Sequence, residues 1–347
     1  MTTARRLLWA IGFLLLLADG ALAQQVKLKA ALQVPITELL FGRSLAEFKQ
    51  EVETLTRNGV AIEIFDGGKP YNDTQILGAV TAGDMDLGVV AFAHFADKIP
   101  AISILDQPFL FNFDELTNAA FSPASDLRRV IDKVLLDSMG VRVLWWQSIG
   151  NQQIYSKGQD VTSPRLIKDK KIRVISETTA KFVKLCGGQP VNMSVAQMHD
   201  AMKDGRVDMA MTGIASVLSR EMYKVSDTIT RTAHSPLEYL LIMTEKNWQK
   251  LSPAHRAAIE EAVKRLELKI RERVAESERQ VYSAAREKGM KIVNLAQHQV
   301  AEWRACSSDI LLSYMETSGE VGSRLMASYG RLRTQPCCSA PPDSSRQ

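Results

Sequence analysis

The sequence predicts an alternating α/β protein with two similar units. Short apolar strands alternate with helical segments over residues 26–91, and the alternation restarts after Gly150. Strand, helix, strand, helix and strand within about 65 residues is typical of βαβ units with a parallel sheet. A long amphipathic segment follows Ser252-Pro253. At 347 residues, the chain is too long for one comfortable core, so two domains are expected.

In the first unit, apolar residues at near-helical spacing, such as Leu45, Phe48 and Val52, predict a helix that ends at Asn58-Gly59. Asp73 is a candidate N-cap for the next helix. The predicted elements are strand 26–32, helix 38–57, strand 60–65, helix 73–81, strand 87–91, a helix from Asp114, helix 127–139 and the buried strand 141–149.

The second unit begins near Asn151. Its predicted elements are strand 172–176, helix 178–185, a short strand at Val191, helix 196–202 and strand 207–211. Strand 239–244 is expected to return the chain to the first lobe. We therefore expect lobe I to comprise residues 24–150 and about 239–280, and lobe II residues 151–238 and about 281–333.

The segment after Ser252-Pro253 predicts the longest helix, because Ser is a good N-cap and Pro suits the first helical position. One apolar stripe follows it, and Gly289 ends it. At 1.5 Å per residue it is roughly 50 Å long. It is either a surface helix with a solvated charged face or a strut that contacts both lobes, and the two are compatible. A strand at 290–295 and helices to Leu332 follow, and the tail 334–347 is expected to be disordered.

The N-terminus predicts an export signal. Arg5 and Arg6 precede an apolar run from Leu7 to Ala18, and Ala21-Leu22-Ala23 forms a small-x-small cleavage signal. A cleaved signal peptide, residues 1–23, is expected, with a soluble mature protein in the periplasm. The run is short for a membrane span, which needs about 20 residues, although an uncleaved anchor is the alternative.

Charge and motifs exclude several classes of function. The chain carries 43 basic and 39 acidic residues, a net charge of +4, and this near-balance argues against nucleic acid as a partner. No Gly-x-Ser-x-Gly elbow or His-Glu-x-x-His site occurs, and the five His are scattered. No acidic cluster has calcium or magnesium spacing. The sequence thus predicts neither an enzyme, a metal site nor a cofactor.

The four cysteines leave the pairing open. Cys186, beside two glycines, is expected to be a small buried apolar side chain. Cys306 with one of the tail residues Cys337 and Cys338 is a possible bridge in an oxidising compartment, but spacing does not establish it.

Arg173 is the leading candidate for a binding residue. It lies inside the short apolar strand Lys171-Ile172-Arg173-Val174, where a charged guanidinium is costly to bury without an anion. Its planar fork is suited to a carboxylate, which it binds through two parallel hydrogen bonds. The alternative is an edge-strand arginine that reaches water or pairs with a nearby acidic residue.

The order of several motifs resembles the solute-binding subunit of TRAP transporters, the DctP-type family. The resemblance covers nearly all of the mature chain. It rests on the Tyr71-Asn72-Asp73 turn, Ala82-Gly83-Asp84-Met85-Asp86-Leu87-Gly88, the Lys171–Val174 strand, Gly188-Gln189-Pro190-Val191, Asp204-Gly205-Arg206-Val207-Asp208 and the long helix after Ser252-Pro253.

The resemblance implies a two-lobe periplasmic binding protein fold with mixed sheets, hinge strands, a long helix spanning both lobes and a ligand cleft between them. It implies that Arg173 binds a carboxylate. Gln152 stands where the family often has a second arginine, and Thr212 stands roughly where it has an asparagine, so a monocarboxylate fits better than an ordinary C4-dicarboxylate.

Further cleft positions implied by the family are Asn72, Asp73, Phe92 and His94. Asp73 is alternatively only a helix cap, Phe92 a core residue and Gln152 a polar strand end.

The function implied by the resemblance is capture of a small organic acid and its delivery to the membrane permease of a TRAP transporter, by a monomer or homodimer. The alternatives are a carboxylate-binding protein of another importer class and a periplasmic sensing component. The sequence does not specify the acid.

Overall fold

The computed structural model describes residues 25–111 and 113–338. The predicted signal peptide and the last part of the tail, residues 339–347, lie outside them. In chain order, strands β1 to β10 are Val26–Ala31, Val60–Phe65, Leu87–Ala91, Val141–Ser156, Lys171–Val174, Gln189–Asn192, Met209–Gly213, Thr228–Arg231, Pro236–Thr244 and Lys291–Asn294.

Helices α1 to α12 are Phe41–Leu55, Ile76–Ala82, Ala93–Ala96, Asp114–Phe121, Asp126–Met139, Glu177–Leu185, Val195–Lys203, Ser216–Ser219, Glu245–Lys250, Pro253–Glu287, Gln297–Thr317 and Gly319–Arg333. Short 3-10 helices cover Pro100–Asp106, Pro164–Ile167 and Met222–Lys224. Within the described residues, no helix is both long enough and apolar enough to cross a bilayer.

Two sheets share one long strand. Sheet I has the order β2-β1-β3-β9-β4, and sheet II continues it as β4-β7-β5-β6; β8 also pairs with β4, and β10 pairs with β8. β1, β2 and β3 are parallel, as are β5, β6 and β7, whereas β9 runs antiparallel to both β3 and β4. This is the two-lobe α/β fold with mixed sheets that the sequence predicted.

The strand β4 is longer than predicted. It runs to Ser156 rather than ending at Ile149, because it pairs with β9 in sheet I and with β7 and β8 in sheet II. The register shifts between Ser148 and Asn151, and Gly150 has a φ of 82°. The irregularity therefore falls where the sequence analysis set the lobe boundary.

The long helix α10 contacts both lobes. It packs on α1 and β4 on one side and reaches α8 and β10 on the other. Its buried residues include Ile259, Leu266 and Ile270 in the core of sheet I and Val281 in the core of sheet II. The interpretation of this segment as a strut agrees with that packing.

Two features differ from the sequence-based expectations. Cys186 is not a small apolar side chain but forms a disulfide with Cys306, which ties α6 to α11. Helix α12 packs Leu325 and Leu332 into a core cluster of sheet I, although residues 281–333 were expected to belong to lobe II.

Candidate functional site

The carboxyl ends of the parallel strands meet between the two lobes. Gln33 follows β1, Phe92 follows β3, and Thr212 lies near the end of β7. Open α/β sheets bind ligands outside the carboxyl ends of their strands. The space between the lobes is therefore the candidate binding site.

Arg173 is buried in this region, with 1 % of its surface exposed. Its Nε donates to the carbonyl of Met193 at 3.1 Å and its Nη1 to the carbonyl of Met211 at 2.9 Å. Nη2 is buried and has no hydrogen-bond partner. Arg173 forms no ion pair with any carboxylate in the described residues, and burial lowers its pKa while Asp73 opposes that shift. One edge of the guanidinium is fixed by the protein, and the other retains a free donor.

Asp73 connects the two lobes. Its carboxylate accepts the backbone N–H of Val195 at 3.0 Å and also bonds the Ser194 hydroxyl, at the N-terminus of α7. The alternative role as cap of its own helix is wrong, because α2 begins at Ile76 with no side-chain cap. A carboxylate at a helix N-terminus is stabilised by the free N–H groups and the helix dipole.

Two more hydrogen bonds cross between the lobes. Arg220 Nη2 donates to the Gln33 carbonyl at 2.7 Å, and Glu177 N–H donates to Asp97 Oδ1 at 2.9 Å. Together with Asp73, these contacts hold the lobes closed on each other.

A small cavity remains between the closed lobes. Its volume is about 30 Å³, which is room for two or three water molecules. Its walls include Gln33, Glu38, Thr212, Ser216, Arg220 and Tyr239. Arg173 is not one of the wall residues. Its carbonyl partners belong to Met211, which directly precedes wall residue Thr212, and to Met193, two residues before wall residue Val195.

Gln152 and Thr212 lie on the paired antiparallel strands β4 and β7. The Thr212 hydroxyl lies 2.8 Å from that of Ser216, on the wall of the cavity. Gln152 Nε2 donates to the Ser235 hydroxyl at 2.9 Å, and its Oε1 is buried without a partner. Gln152 lines a second, smaller cavity of about 10 Å³, so the structure does not bring its side chain into the first one.

The second cavity is acidic. Glu238 and Asp106 line it with Phe92, and both Glu238 carboxyl oxygens are buried without partners. Burial raises the pKa of Asp106 to about 7 and raises that of Glu238 as well. Burial therefore favours the neutral, protonated form of both carboxyl groups.

The remaining predicted positions divide between core, cleft and turn. Phe92 is buried and packs on Trp146, with ring centroids 5.8 Å apart, so it serves chiefly as core. His94 is partly buried near Asp73 and Arg173, and burial lowers its pKa. The Asn72 side chain accepts from Thr74 N–H at 3.1 Å in a local turn and is engaged there rather than in the cleft.

Sequence reasoning missed several residues of the cavity. Tyr239 lies in an apolar strand and packs against Phe41 in a tilted arrangement, with ring centroids 4.5 Å apart, so its pattern indicated only a buried strand. Arg220 follows the very short helix α8, which carried no recognisable pattern. Glu38 was included in a predicted helix, but its carboxylate instead accepts Phe41 N–H at 2.7 Å at the start of α1.

The two α/β lobes, the shared strands and the narrow polar cleft between them define a solute-binding protein of the two-lobe class. The chain also matches the family described as bacterial extracellular solute-binding protein, family 7 (DctP), over residues 37–317. It belongs to that family, which confirms the resemblance found in the sequence.

Known relatives are similar in sequence and fold. The 2,3-diketo-L-gulonate-binding periplasmic protein YiaO of Escherichia coli is 22% identical over 250 residues, which is 71% of this chain and 75% of the relative. The crystal structure of DctP7, a pyroglutamic acid receptor of Bordetella pertussis, has a TM-score of 0.80 at 18% identity, covering 88% of this chain and 99% of that one.

A TRAP periplasmic solute-binding protein of Sulfurospirillum deleyianum, solved with succinate, has a TM-score of 0.80 at 20% identity. The match covers 89% of this chain and 99% of that one. At 18% and 20% identity, these two solved structures support the fold alone.

Proposed function

We propose that this protein is an exported solute receptor that binds a small organic acid between its lobes and delivers it to a TRAP-type permease. The observation that carries the proposal is the buried Arg173, whose Nη2 has no partner while its other nitrogens are fixed by two carbonyls. A buried cation with a free donor is complementary to a carboxylate.

Capture proceeds by closure of the lobes. The ligand carboxylate binds near Arg173 on lobe II, and the opposite wall comes from lobe I residues such as Gln33 and Tyr239. The hinge strands β4 and β9 absorb the rotation. A ligand stabilises the closed form only to the extent that it contacts that form better than the open one. The bonds from Asp73, Asp97 and Arg220 are available only after closure, so they add to that difference.

The relatives support the chemical class. YiaO is named for binding 2,3-diketo-L-gulonate, and the solved relatives hold pyroglutamate and succinate. All three ligands carry a carboxylate. We infer that this protein also binds a carboxylate. We further infer that it binds and releases the acid without converting it, and that it is exported to the periplasm with its signal peptide cleaved after Ala23. His94, which is partly buried near Asp73 and Arg173, is assigned a supporting position beside the cleft.

Native mass spectrometry of the protein purified from its own host tests the proposal. We expect a non-covalent adduct of an organic acid that is lost when the protein is denatured. Titration calorimetry with keto, hydroxy and aromatic acids follows, since a binder also raises the apparent stability. Recovery of only neutral or cationic ligands would overturn the proposal, and conversion of the bound acid into a product would show an enzyme instead.

Delivery is tested separately. Permease vesicles should accumulate the acid only when the loaded receptor and an ion gradient are both present. Uptake that does not depend on the receptor would contradict the assigned partner.

A further inference from the structure

The two cysteines outside the disulfide are neighbours in the chain. Cys306 is paired with Cys186 rather than with a tail cysteine, so Cys337 and Cys338 are left as free thiols. Their Sγ atoms lie 2.6 Å apart. Two thiols in contact can react together, which a lone thiol cannot do.

The two thiols differ in their exposure. Cys337 is exposed, whereas Cys338 is buried in the same core cluster of sheet I as Phe113 and Leu116. The Cys338 Sγ lies 3.7 Å from the carbonyl oxygen of Glu115. Burial and the neighbouring Cys337 thiol raise the pKa of Cys338 to about 11, which makes it a poor first nucleophile. Cys337 is therefore the thiol that meets a reagent from solution, and Cys338 lies within reach to react second.

We propose that Cys337 and Cys338 form a reversible redox site that exchanges with disulfides and closes a ring between the two adjacent residues. The Cys337 thiolate attacks one sulfur of a disulfide reagent, whose S–S bond breaks and releases a first thiol. The Cys338 thiolate then attacks the Cys337 sulfur and expels the second thiol. Two thiol protons and two electrons pass to the reagent, and one S–S bond forms in the protein.

This site is independent of the proposed function. Neither cysteine is a wall residue of the cavity between the lobes. Cys338 instead lies in the turn after α12, where its N–H donates to the carbonyl of Gln335 at 2.9 Å. The exchange therefore takes place on lobe I, whichever solute the cleft binds.

The ring should be much easier to reduce than the other disulfide. Adjacent Cα atoms are about 3.8 Å apart across a trans peptide, whereas disulfides usually join Cα atoms about 4.4–6.8 Å apart, and such a deviation makes the bond more reducible. The ring also closes no chain loop, while Cys186 and Cys306 are 120 residues apart and gain the entropy of loop closure. Exposure of Cys337 gives a reductant access.

Oxidised glutathione and dithiothreitol test the inference on the whole mature protein. After oxidation, denaturation and alkylation, mass spectrometry of the protein and its peptides counts the free thiols. We expect both tail thiols to be lost, with no glutathione retained and no covalent dimer. The ratio of reduced to oxidised dithiothreitol that restores them should be at least about a hundredfold lower than the ratio that opens Cys186–Cys306.

Single substitutions separate the two steps. Cys338→Ser keeps the exposed thiol without its partner, so it should retain one glutathione on Cys337. Cys337→Ser is the reciprocal control, and it should react at least tenfold more slowly because the remaining thiol is buried. If circular dichroism shows that Cys338→Ser is not folded, Cys338→Ala takes its place.

The wild-type protein alone can refute the inference. Glutathione retained on Cys337 beside a free Cys338 would show that the second step does not occur. Covalent dimers through Cys337 would show that the pair reacts between molecules instead. A ring that resists dithiothreitol as strongly as Cys186–Cys306 would contradict its reversibility.

Discussion

Replacing Arg173 is the most direct perturbation of the binding site. Arg173→Met keeps the length and apolar stem of the side chain and removes the guanidinium. We expect the affinity for the native acid to fall by at least a hundredfold. Arg173→Lys keeps the charge but lacks the planar fork, so its loss should be smaller yet still above tenfold.

The magnitude follows from burial. With 1 % of Arg173 exposed, a bound carboxylate would also be removed from water. Loss of one partner of a buried pair leaves an uncompensated charge at a cost of about 3–5 kcal/mol. At 1.4 kcal/mol for each tenfold change, that corresponds to about two to three and a half orders of magnitude in Kd.

Folding has to be separated from binding in this experiment. Arg173 also bonds the Met193 and Met211 carbonyls, so the variants should unfold at lower urea concentration even without ligand. Calorimetry should therefore be run only on variants, and under conditions, for which circular dichroism shows a native fold. Arg206→Gln, at an exposed site near the start of β7, is the control. A folded Arg173→Met protein whose Kd stays within threefold of wild type would refute the carboxylate clamp.

Four further predictions concern closure, the disulfide, a buried histidine and the hinge. Asp73→Ala should weaken ligand binding by about five- to a hundredfold, because in the closed form the Val195 N–H loses its acceptor at a cost of about 1–3 kcal/mol. Calorimetry measures the affinity, and fluorescence transfer between the lobes measures closure. Alanines at Cys186 and Cys306, which are 120 residues apart, should lower the free energy of unfolding by about 2–5 kcal/mol in urea titrations. Burial lowers the pKa of His234 from 6.5 to about 3, so the unfolded chain protonates first and stability falls between those pH values. At pH 4.5 the loss is about 2–3 kcal/mol relative to pH 7, and His234→Asn should lack it in urea titrations. Gly150→Ala should destabilise by about 1–3 kcal/mol, because φ is 82° and a Cβ would overlap the Glu278 carboxyl group; thermal unfolding measures it.

Each of these predictions has a contradicting result. If the distances between the lobes are unchanged in the Asp73 variant, Asp73 does not contribute to closure. Equal urea midpoints for the oxidised wild type and the variant with alanines at Cys186 and Cys306 would mean that the disulfide does not stabilise the fold. The histidine argument fails if His234→Asn and wild type show parallel pH profiles, and the steric argument fails if Gly150→Ala melts at the wild-type temperature.

Much of the fold follows from local sequence. Strands such as β2 and β3 were predicted with their observed bounds, since short apolar runs between turn residues have few alternatives. The start of α10 at Pro253 followed from its cap. The strand β8 was missed, because Thr228–Arg231 is short and mostly polar and is a strand only through pairing with β4 and β10.

The site was less predictable than the fold, because most of its contacts join segments that are far apart in the sequence. Arg173 was found because a charge inside an apolar strand is conspicuous without any partner. Asp73 was ambiguous, because the helix that it caps lies in the other lobe, 122 residues away. Arg220 and the Cys186–Cys306 bridge depend entirely on contacts between distant segments, which local patterns do not specify.

The sharing of β4 by both sheets has a consequence for biogenesis. Sheet I is incomplete until β9, which ends at Thr244, is available, and the core of sheet II needs residues as late as Ile310. Neither lobe is a contiguous stretch of chain, so no N-terminal fragment emerging from the ribosome has a finished core. Such late, non-local closure slows folding, so nearly the whole chain has to be made before either core can close.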